Sequence, residues 1–329
     1  MGELLTLLFA TGAGSFVAIV LVLVARDTLR RRFGPALAYC AWSAVPVVIL
    51  AMAFSAEGTA QHTAPAASAL LGSTGLVFAQ LVPAAPDMTQ LILWIWLAGA
   101  LLTALALFFI QIRYVRALGT LQPRDGLWYT PRTQVSPFVI GLIRPRIVVP
   151  ADFESRYTLR ERDMILSHER MHVRRGDLLA NGLSTLIRCL LWFNPLTHLG
   201  TECFRFDQEL ACDAATLQRC SGSRKCYAGA LLKTVGLDRP LPLSSLWRSV
   251  HPLKERLLTL QRPPTSGGGR VLGNTLVAAA TVLLALGAWQ VHPTQAYSAR
   301  AAVIRAGATC PLTRQKAAPA RRDFKSGAT

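Results

Sequence analysis

Four uncharged, apolar runs constrain this chain more than any other feature of its sequence. They cover residues 4–25, 36–56, 91–112 and 271–291. Each is close to the roughly 20 residues that a helix needs to cross the hydrocarbon core of a membrane. Only 16% of the residues are charged, and 52% are hydrophobic, which is too apolar for an ordinary soluble enzyme. The sequence therefore predicts a multi-span α-helical membrane protein.

The basic residues beside these runs predict their orientation. Arg26 and residues 30–32 follow the first run, and Arg113 and Arg116 follow the third, whereas residues 57–90 contain no Lys or Arg. By the positive-inside rule, the 57–90 loop faces outward, and the segment after Arg113 faces the cytoplasm of a bacterial-type inner membrane. A secretory signal would carry its charges before the apolar run, so the first helix is predicted to be uncleaved.

The net charge of +17 raises nucleic-acid binding as an alternative function. No basic motif interleaved with aromatic residues accompanies this charge, and arginines beside the spans are what the orientation requires. We therefore interpret the basic residues as a surface that is attracted to the anionic inner leaflet of the membrane. No direct nucleic-acid partner is expected.

The predicted organisation is three spans in residues 1–112, a folded domain, and a fourth span. Residues 113–270 are polar enough, and numerous enough, to form one cytoplasmic domain. Residues 292–329 form a basic tail whose composition predicts disorder. Because the rule opposes a basic tail outside the membrane, the alternative is that the run at 271–291 lies on the membrane surface.

The motif His168-Glu169-Arg170-Met171-His172 indicates the chemistry of the domain. Residues four apart lie on one face of a helix, so the two imidazoles can bind one Zn²⁺ together. Glu169 then lies beside the open coordination position, where it can take a proton from the attacking water and later deliver it to the leaving amine. The alternative is a solvated surface helix without a metal.

A catalytic zinc needs a third protein ligand and keeps its fourth position for water. The downstream candidates are His198, Glu202, Asp207, Glu209 and Asp213. Glu209 and Asp213 share the four-residue spacing of a helix face. Glu209 would bind the metal, while Asp213 would hold a ligating imidazole by its second nitrogen. The alternative is an exposed acidic face.

Two further groups of residues bear on the site. The seven cysteines include no repeated CxxC pair, so a thiolate zinc site is not predicted. His198 and Arg205 are candidates for stabilising the oxyanion of the reaction.

Several motifs together resemble the BlaR/MecR-type peptidases, the membrane zinc peptidases of the beta-lactam sensor-transducers. In chain order they are residues 136–150, the His168 to His172 motif with Arg175 and Asp177, residues 192–195, and residues 207–213. The resemblance covers the whole predicted domain. It implies a mainly α (α+β), gluzincin-like domain inserted between spans three and four. The implied site has His168, His172 and Glu209 on zinc, Glu169 as general base and Asp213 behind a ligand.

The resemblance also suggests how a substrate binds. Residues 147–149 would lie in a strand beside the cleft, where they could pair with an extended substrate backbone. Packing of this strand in the core is the alternative. Because only residues 292–329 follow the fourth run, no penicillin-binding domain, and no beta-lactam binding, is expected.

The predicted function is a zinc-dependent endopeptidase that transduces a signal by cleaving a cytoplasmic protein, such as a transcriptional repressor, or itself. A membrane quality-control metallopeptidase is an alternative that shares the two-histidine motif, but the blocks at 137–138 and 192–195 argue against it. A non-catalytic receptor or scaffold stabilised by zinc is a third. The presence of Glu169 argues against this third alternative, because a structural zinc site needs no general base and normally has four protein ligands.

Overall fold

The computed structural model describes residues 2–60, 88–219, 224–234, 252–261 and 267–290. Within these ranges the chain is mostly helical, with eleven helices and one four-stranded sheet. Most of the predicted outer loop at 57–90, and all of the predicted tail at 292–329, lie outside the described residues.

Three of the predicted spans come first in the chain. The helices are α1 (Gly2–Phe33), α2 (Pro35–Ala41), α3 (Ala44–Ala60) and α4 (Met88–Ala117). α1, the pair α2 with α3, and α4 are each long and apolar enough to cross a membrane. This is what the first three apolar runs predict.

The second span is interrupted just before Pro46. Proline has no N–H to donate, so the carbonyl of Trp42 instead accepts a hydrogen bond from the N–H of Val45 at 3.2 Å. This tighter turn separates α2 from α3. Gly34, with a φ of 95°, makes the turn that joins α1 to α2.

A small sheet follows α4. Its strands are β1 (Gln122–Arg124), β2 (Leu127–Thr130), β3 (Phe138–Ile140) and β4 (Arg146–Pro150). They lie in the order β1-β2-β4-β3, with β4 parallel to β2 and antiparallel to β3. Because both sides of β4 are paired and its Val148 and Val149 are fully buried, residues 147–149 pack in the core. They have no free edge for a substrate strand.

Six described helices lie between the sheet and the last span. They are α5 (Phe153–Arg156), α6 (Leu159–Arg175), α7 (Asp177–Leu190), α8 (Pro195–Arg219), α9 (Arg224–Leu232) and α10 (Pro252–Gln261). α6 begins in a capping box, in which the side chains of Thr158 and Glu161 accept from each other's backbone N–H. It ends at Gly176, whose φ of 68° lets α7 start without a loop.

The last described helix, α11 (Gly267–Gln290), is the fourth segment long and apolar enough to cross a membrane. It packs against α3 and α2. The buried cluster of these helices includes Ile19, Trp42 and Val48, and α8 packs against the same cluster through Leu196 and Phe204. α8 therefore belongs both to the core of the apolar helices and to the helices that carry the motif residues.

Candidate metal centre

α6 brings the two motif histidines together. His168 and His172 are one helical turn apart, and their Nε2 atoms are 3.1 Å from each other. Both side chains are nearly buried, with His168 8% and His172 12% exposed. The predicted helical spacing is therefore present, and the nitrogens of both rings point to one place.

Glu209 of α8 completes a set of three. Its Oε2 lies 3.6 Å from His168 Nε2, and its Oε1 lies 3.6 Å from His172 Nε2. Atoms that share one zinc at about 2.0–2.2 Å in a tetrahedral arrangement lie about 3.3–3.6 Å apart. The three side chains therefore have the donor types and the separations that one zinc ion needs.

The hydrogen bonds of the two imidazoles involve their Nδ1 atoms and leave their Nε2 atoms available to bind a metal. His172 Nδ1 is 2.7 Å from Asp177 Oδ2, and His168 Nδ1 is 2.8 Å from the hydroxyl of Tyr227. We assign the ring proton to Nδ1 in each case, because a carboxylate can only accept and the Tyr227 hydroxyl already donates to Asp213 at 2.6 Å. Both Nε2 lone pairs are then free for a metal.

Cys212 is a second candidate for the third ligand. It too brings a ligand atom within 4.8 Å of both imidazoles. Its thiol, however, donates to the carbonyl of His168 at 3.3 Å and is fully buried behind the site, whereas Glu209 is 34% exposed. We favour Glu209, because its oxygens lie 3.6 Å from both Nε2 atoms on the side that is open to solvent, whereas the Cys212 thiol is bonded to a backbone carbonyl.

The electrostatics of the site favour a cation. Burial lowers the pKa of His172, but the hydrogen bond with Asp177, the contact with Cys212 and the charge of Glu209 together outweigh burial and raise that pKa above the ordinary value. Burial raises the pKa of Glu209, but Arg256 and the imidazoles hold it well below the ordinary value. Glu209 is therefore a carboxylate, and positive charge on the imidazole side is stabilised.

Glu169 follows His168 directly and is 7% exposed. Burial raises the pKa of its carboxyl, and Glu209 adds to that effect, while the imidazoles of His168 and His172 oppose it. A raised pKa suits a carboxylate that must accept a proton and then give it away near neutral pH.

Asp213 lies behind His168, as the sequence predicts, but in a larger network. Its Oδ1 is 3.3 Å from His168 Nδ1, and Arg256 donates to both of its oxygens at 2.7 Å. Arg256 also contacts Glu209 Oε2 at 3.2 Å. Burial raises the pKa of Asp213, but Arg256 and His168 outweigh it and hold that pKa below the ordinary value. Asp213 and Glu209 are therefore carboxylates that contact the charged Arg256, and the protonated hydroxyl of Tyr227 donates to Asp213.

The carboxylate partner of His172 connects this ligand to the second apolar span. Asp177, the first residue of α7, is fully buried. Its Oδ1 accepts from the hydroxyl of Tyr39 on α2 at 2.9 Å, and Gln208 Nε2 donates to the same hydroxyl at 3.1 Å. One candidate ligand is thus connected to the apolar helices through two hydrogen bonds.

The other sequence candidates lie elsewhere. Asp207 is bonded to Arg26 at 3.1 Å and to the indole of Trp42 at 2.9 Å. His198 accepts from Arg188 and donates to the carbonyl of Trp192, and it precedes Glu209 by eleven residues, or about 16 Å along α8. Neither is at the metal centre.

Two more candidates, Glu202 and Arg205, belong to the same region as His198. The charges that act on Arg205 are those of Arg188 and Glu202. The proposed roles of His198 and Arg205 in stabilising an oxyanion therefore lack support from the geometry.

Tyr39, Tyr227 and Arg256 are not predicted from the sequence to lie at the site, and Asp177 has no predicted role. Tyr227 and Arg256 follow the Glu209 motif on separate helices, and Tyr39 precedes it by 170 residues. No spacing rule connects such positions. Only Asp177 left a signal, because an acid directly after the end of a metal-binding helix can reach back to the last histidine.

Comparison with known proteins gives a consistent result. The sequence model described as BlaR1 peptidase M56 matches residues 7–260. Regulatory protein BlaR1 of Bacillus licheniformis is 30% identical over 130 residues, which is 38% of this chain and 22% of that protein. Methicillin resistance mecR1 protein of Staphylococcus aureus (strain Mu50 / ATCC 700699) is 25% identical over 155 residues, 40% of this chain and 26% of the relative. The matched regions thus span about a quarter of these relatives.

Proposed function

Because this chain belongs to the BlaR1 peptidase M56 family, we propose that it is a membrane-bound, zinc-dependent endopeptidase. The observation that carries the proposal is the convergence of His168 Nε2, His172 Nε2 and the Glu209 carboxylate within 3.6 Å of one another. Glu169 lies next to them in the sequence. The four apolar helices and the bacterial relatives support a bacterial membrane protein.

The residues of the site divide the work of peptide hydrolysis. His168, His172 and Glu209 would hold Zn²⁺, which when bound supplies a Lewis acid that polarises the scissile carbonyl. Glu169 takes the proton of the attacking water and gives it to the leaving amine. The Nδ1 bonds to Tyr227 and Asp177 keep the rings in the orientation and tautomer that present Nε2.

A catalytic site rather than a structural one is supported by the number of ligands and by exposure. A structural zinc is closed by four protein ligands, whereas three converge here and the side of Glu209 is open to solvent. Cys212 is the described residue that could close the site. Zinc retained in Cys212→Ser supports the peptidase, and zinc lost in that variant would indicate a closed, structural centre.

The central experiment separates metal binding from catalysis. Glu169→Gln should keep full zinc content and lose proteolysis, because the glutamine cannot accept the proton. Asp163→Asn is the matched control, since Asp163 is an exposed acid on the same helix, and it should change neither property. If Glu169→Gln cleaves like the unmodified protein, Glu169 is not the general base.

The proposed substrate is a cytoplasmic regulatory protein, such as a transcriptional repressor, or the chain itself. The names of the relatives, a regulatory protein and a methicillin resistance protein, support signalling rather than general degradation. The protein that accumulates uncleaved in cells carrying Glu169→Gln, but not in cells carrying Asp163→Asn, identifies the substrate. Accumulation of many unrelated membrane proteins would instead favour quality control.

The proposed orientation has the metal centre on the cytoplasmic side. Arg26 ion-pairs with Asp207, two residues before Glu209, so the centre lies at the basic end of α1. By the positive-inside rule that end is cytoplasmic. A reporter fused after residue 150 should then be cytoplasmic and one after residue 70 external, and the opposite result would reverse the orientation.

A further inference from the structure

α7 exposes its apolar face and turns its polar face toward the protein, which is the reverse of the arrangement expected for a helix in water. Its exposed leucines follow a helical stripe and are Leu179, Leu183, Leu186 and Leu190. Its opposite face is polar and turned inward: Ser184 donates to Thr201 at 3.2 Å, and Arg188 donates to His198 at 2.8 Å. In an aqueous domain the apolar stripe would face the core. Here the stripe faces away from the protein.

The contacts between α8 and α1 indicate how deep in the membrane this part of the chain lies. Together with the turn that precedes it, α8 contacts α1 at three positions spaced seven residues apart, which are Phe193 of the turn on Gly12, Gly200 on Ile19, and Asp207 on Arg26. The two helices therefore run side by side in the same direction. Gly12 is 14 residues before Arg26, which is about 21 Å along a helix. Half of the hydrocarbon core is about 15 Å.

α4 gives the same depth independently. The indole of Trp192 occupies the space that a side chain at Gly99 would need, and its Nε1 donates to the carbonyl of Trp96 at 3.1 Å. Gly99 is 14 residues before Arg113, again about 21 Å from the basic end of the span. Small residues in α1 and α4 let the 192–193 side chains approach closely, as is common between helices in membranes.

The polar groups of the turn between α7 and α8 are bonded within the protein. The carbonyl of Leu190 accepts from the indole of Trp96 at 2.8 Å. The carbonyl of Trp192 accepts from His198 at 2.9 Å. The side chain of Asn194 accepts from the N–H of Leu196 at 3.0 Å. Non-helical backbone is tolerated at membrane depth only when its polar groups are satisfied in this way.

We propose that α7 and α8 form a re-entrant hairpin, which enters the bilayer from the side of the metal centre and turns back near the middle. The turn at residues 191–194 lies between α1 and α4, and the leucine stripe of α7 contacts lipid acyl chains. This inference rests on α1 and α4 being membrane spans, not on catalysis. It also puts the metal centre at the bilayer surface, so a substrate must be cleaved close to the membrane.

The test is the environment of the stripe, measured with a nitroxide spin label in phospholipid vesicles. Leu186→Cys and Leu183→Cys carry the label, in a background where the native cysteines other than buried Cys212 are replaced by alanine. Leu159→Cys is the matched control, because Leu159 is an exposed leucine, 75% exposed, at the distant start of α6. Zinc content of each labelled protein reports that the fold is retained.

Lipid contact predicts more frequent collisions with oxygen, which dissolves in the bilayer, than with a water-soluble nickel chelate at residues 183 and 186. The order should be reversed at residue 159. More frequent nickel collisions at 183 and 186 would place the stripe in water and overturn the proposal. Shielding from both reagents would mean that protein, such as a second copy of the chain, covers the stripe, and would equally overturn it.

Discussion

The two imidazoles of the candidate metal centre are hydrogen-bonded to residues from different parts of the molecule. His168 leads to Tyr227 and Asp213, and then to Arg256, all on α8, α9 and α10. His172 leads to Asp177 and then to Tyr39 on α2. One half of the centre is self-contained, whereas the other half extends to a helix of the second apolar span.

This difference has a physical consequence for the metal. Partners behind a ligand set its orientation and basicity, and so the affinity of the site. A change in the apolar helices that moves Tyr39 from Asp177 would act on His172 and leave the His168 network in place. Substitutions can disrupt the His168 half alone, both halves, or the His172 half alone.

Removing Arg256 should have the largest effect. Its side chain is 6% exposed, and its guanidinium bonds Asp213 twice and contacts Glu209. Taking one partner from a buried ion pair leaves an uncompensated charge and costs about 3–5 kcal/mol. Arg256→Met should lower the free energy of unfolding of the zinc-free protein by about that amount, measured by denaturation in detergent micelles followed by tryptophan fluorescence.

Lys254→Met serves as the control for this prediction. Lys254 is exposed on the same helix, and its loss should leave the free energy of unfolding nearly unchanged. If both variants unfold at the same denaturant concentration, the buried cluster does not stabilise the His168 half.

The carboxylates behind the two imidazoles should have the next largest effect. Asp213→Asn and Asp177→Asn each remove the negative charge behind one ring while keeping the shape of the side chain. Each should weaken zinc binding by about 10- to 100-fold, measured by competition with a chelating indicator. Asp163→Asn should bind zinc like the unmodified protein. An unchanged affinity in Asp177→Asn would mean that His172 does not depend on this partner.

The features that the sequence predicts in this molecule are mostly those set by residues close to one another in the chain. The spacing of His168, Glu169 and His172, and that of Glu209 and Asp213, follow from the period of a single helix, and the structure brings these residues together. The four apolar runs are likewise continuous segments. In each case a pattern of neighbouring residues determines where the side chains lie.

What the sequence does not predict depends on contacts between distant segments. Arg256 and Tyr39 reach the centre only after α10 and α2 have packed against α8. α7 is a different case: it has only 14 residues, and the polar side chains of Ser184 and Arg188 are bonded to α8, so its hydropathy alone does not indicate a membrane environment. For this reason the sequence predicts residues 113–270 as one aqueous domain, and the boundaries of that domain stay a prediction.

The smallest expected effect is that of Tyr39→Phe, which removes one hydroxyl from the His172 half. The phenylalanine ring can keep the stacking on Phe204 at 5.4 Å and the contact with the Arg175 guanidinium at 4.5 Å. One hydrogen bond contributes about 0.5–1.5 kcal/mol, so zinc affinity should fall by about two- to tenfold. Tyr129→Phe, which loses an exposed hydroxyl bonded to Glu154, should leave affinity unchanged.

Combining Tyr39→Phe with the carboxylate variants tests whether the His168 half and the His172 half of the centre are independent. If Tyr39 acts on zinc only through Asp177, adding Tyr39→Phe to Asp177→Asn should weaken binding no further than Asp177→Asn alone. Added to Asp213→Asn, it should weaken binding by its full separate factor, because groups without shared partners contribute additively. The absorption spectrum of the Co²⁺-substituted protein should change with Tyr39→Phe and not with Tyr129→Phe. A general loss of stability would not produce this change in the spectrum. Equal coupling to both carboxylates would mean that the two halves of the centre are one network.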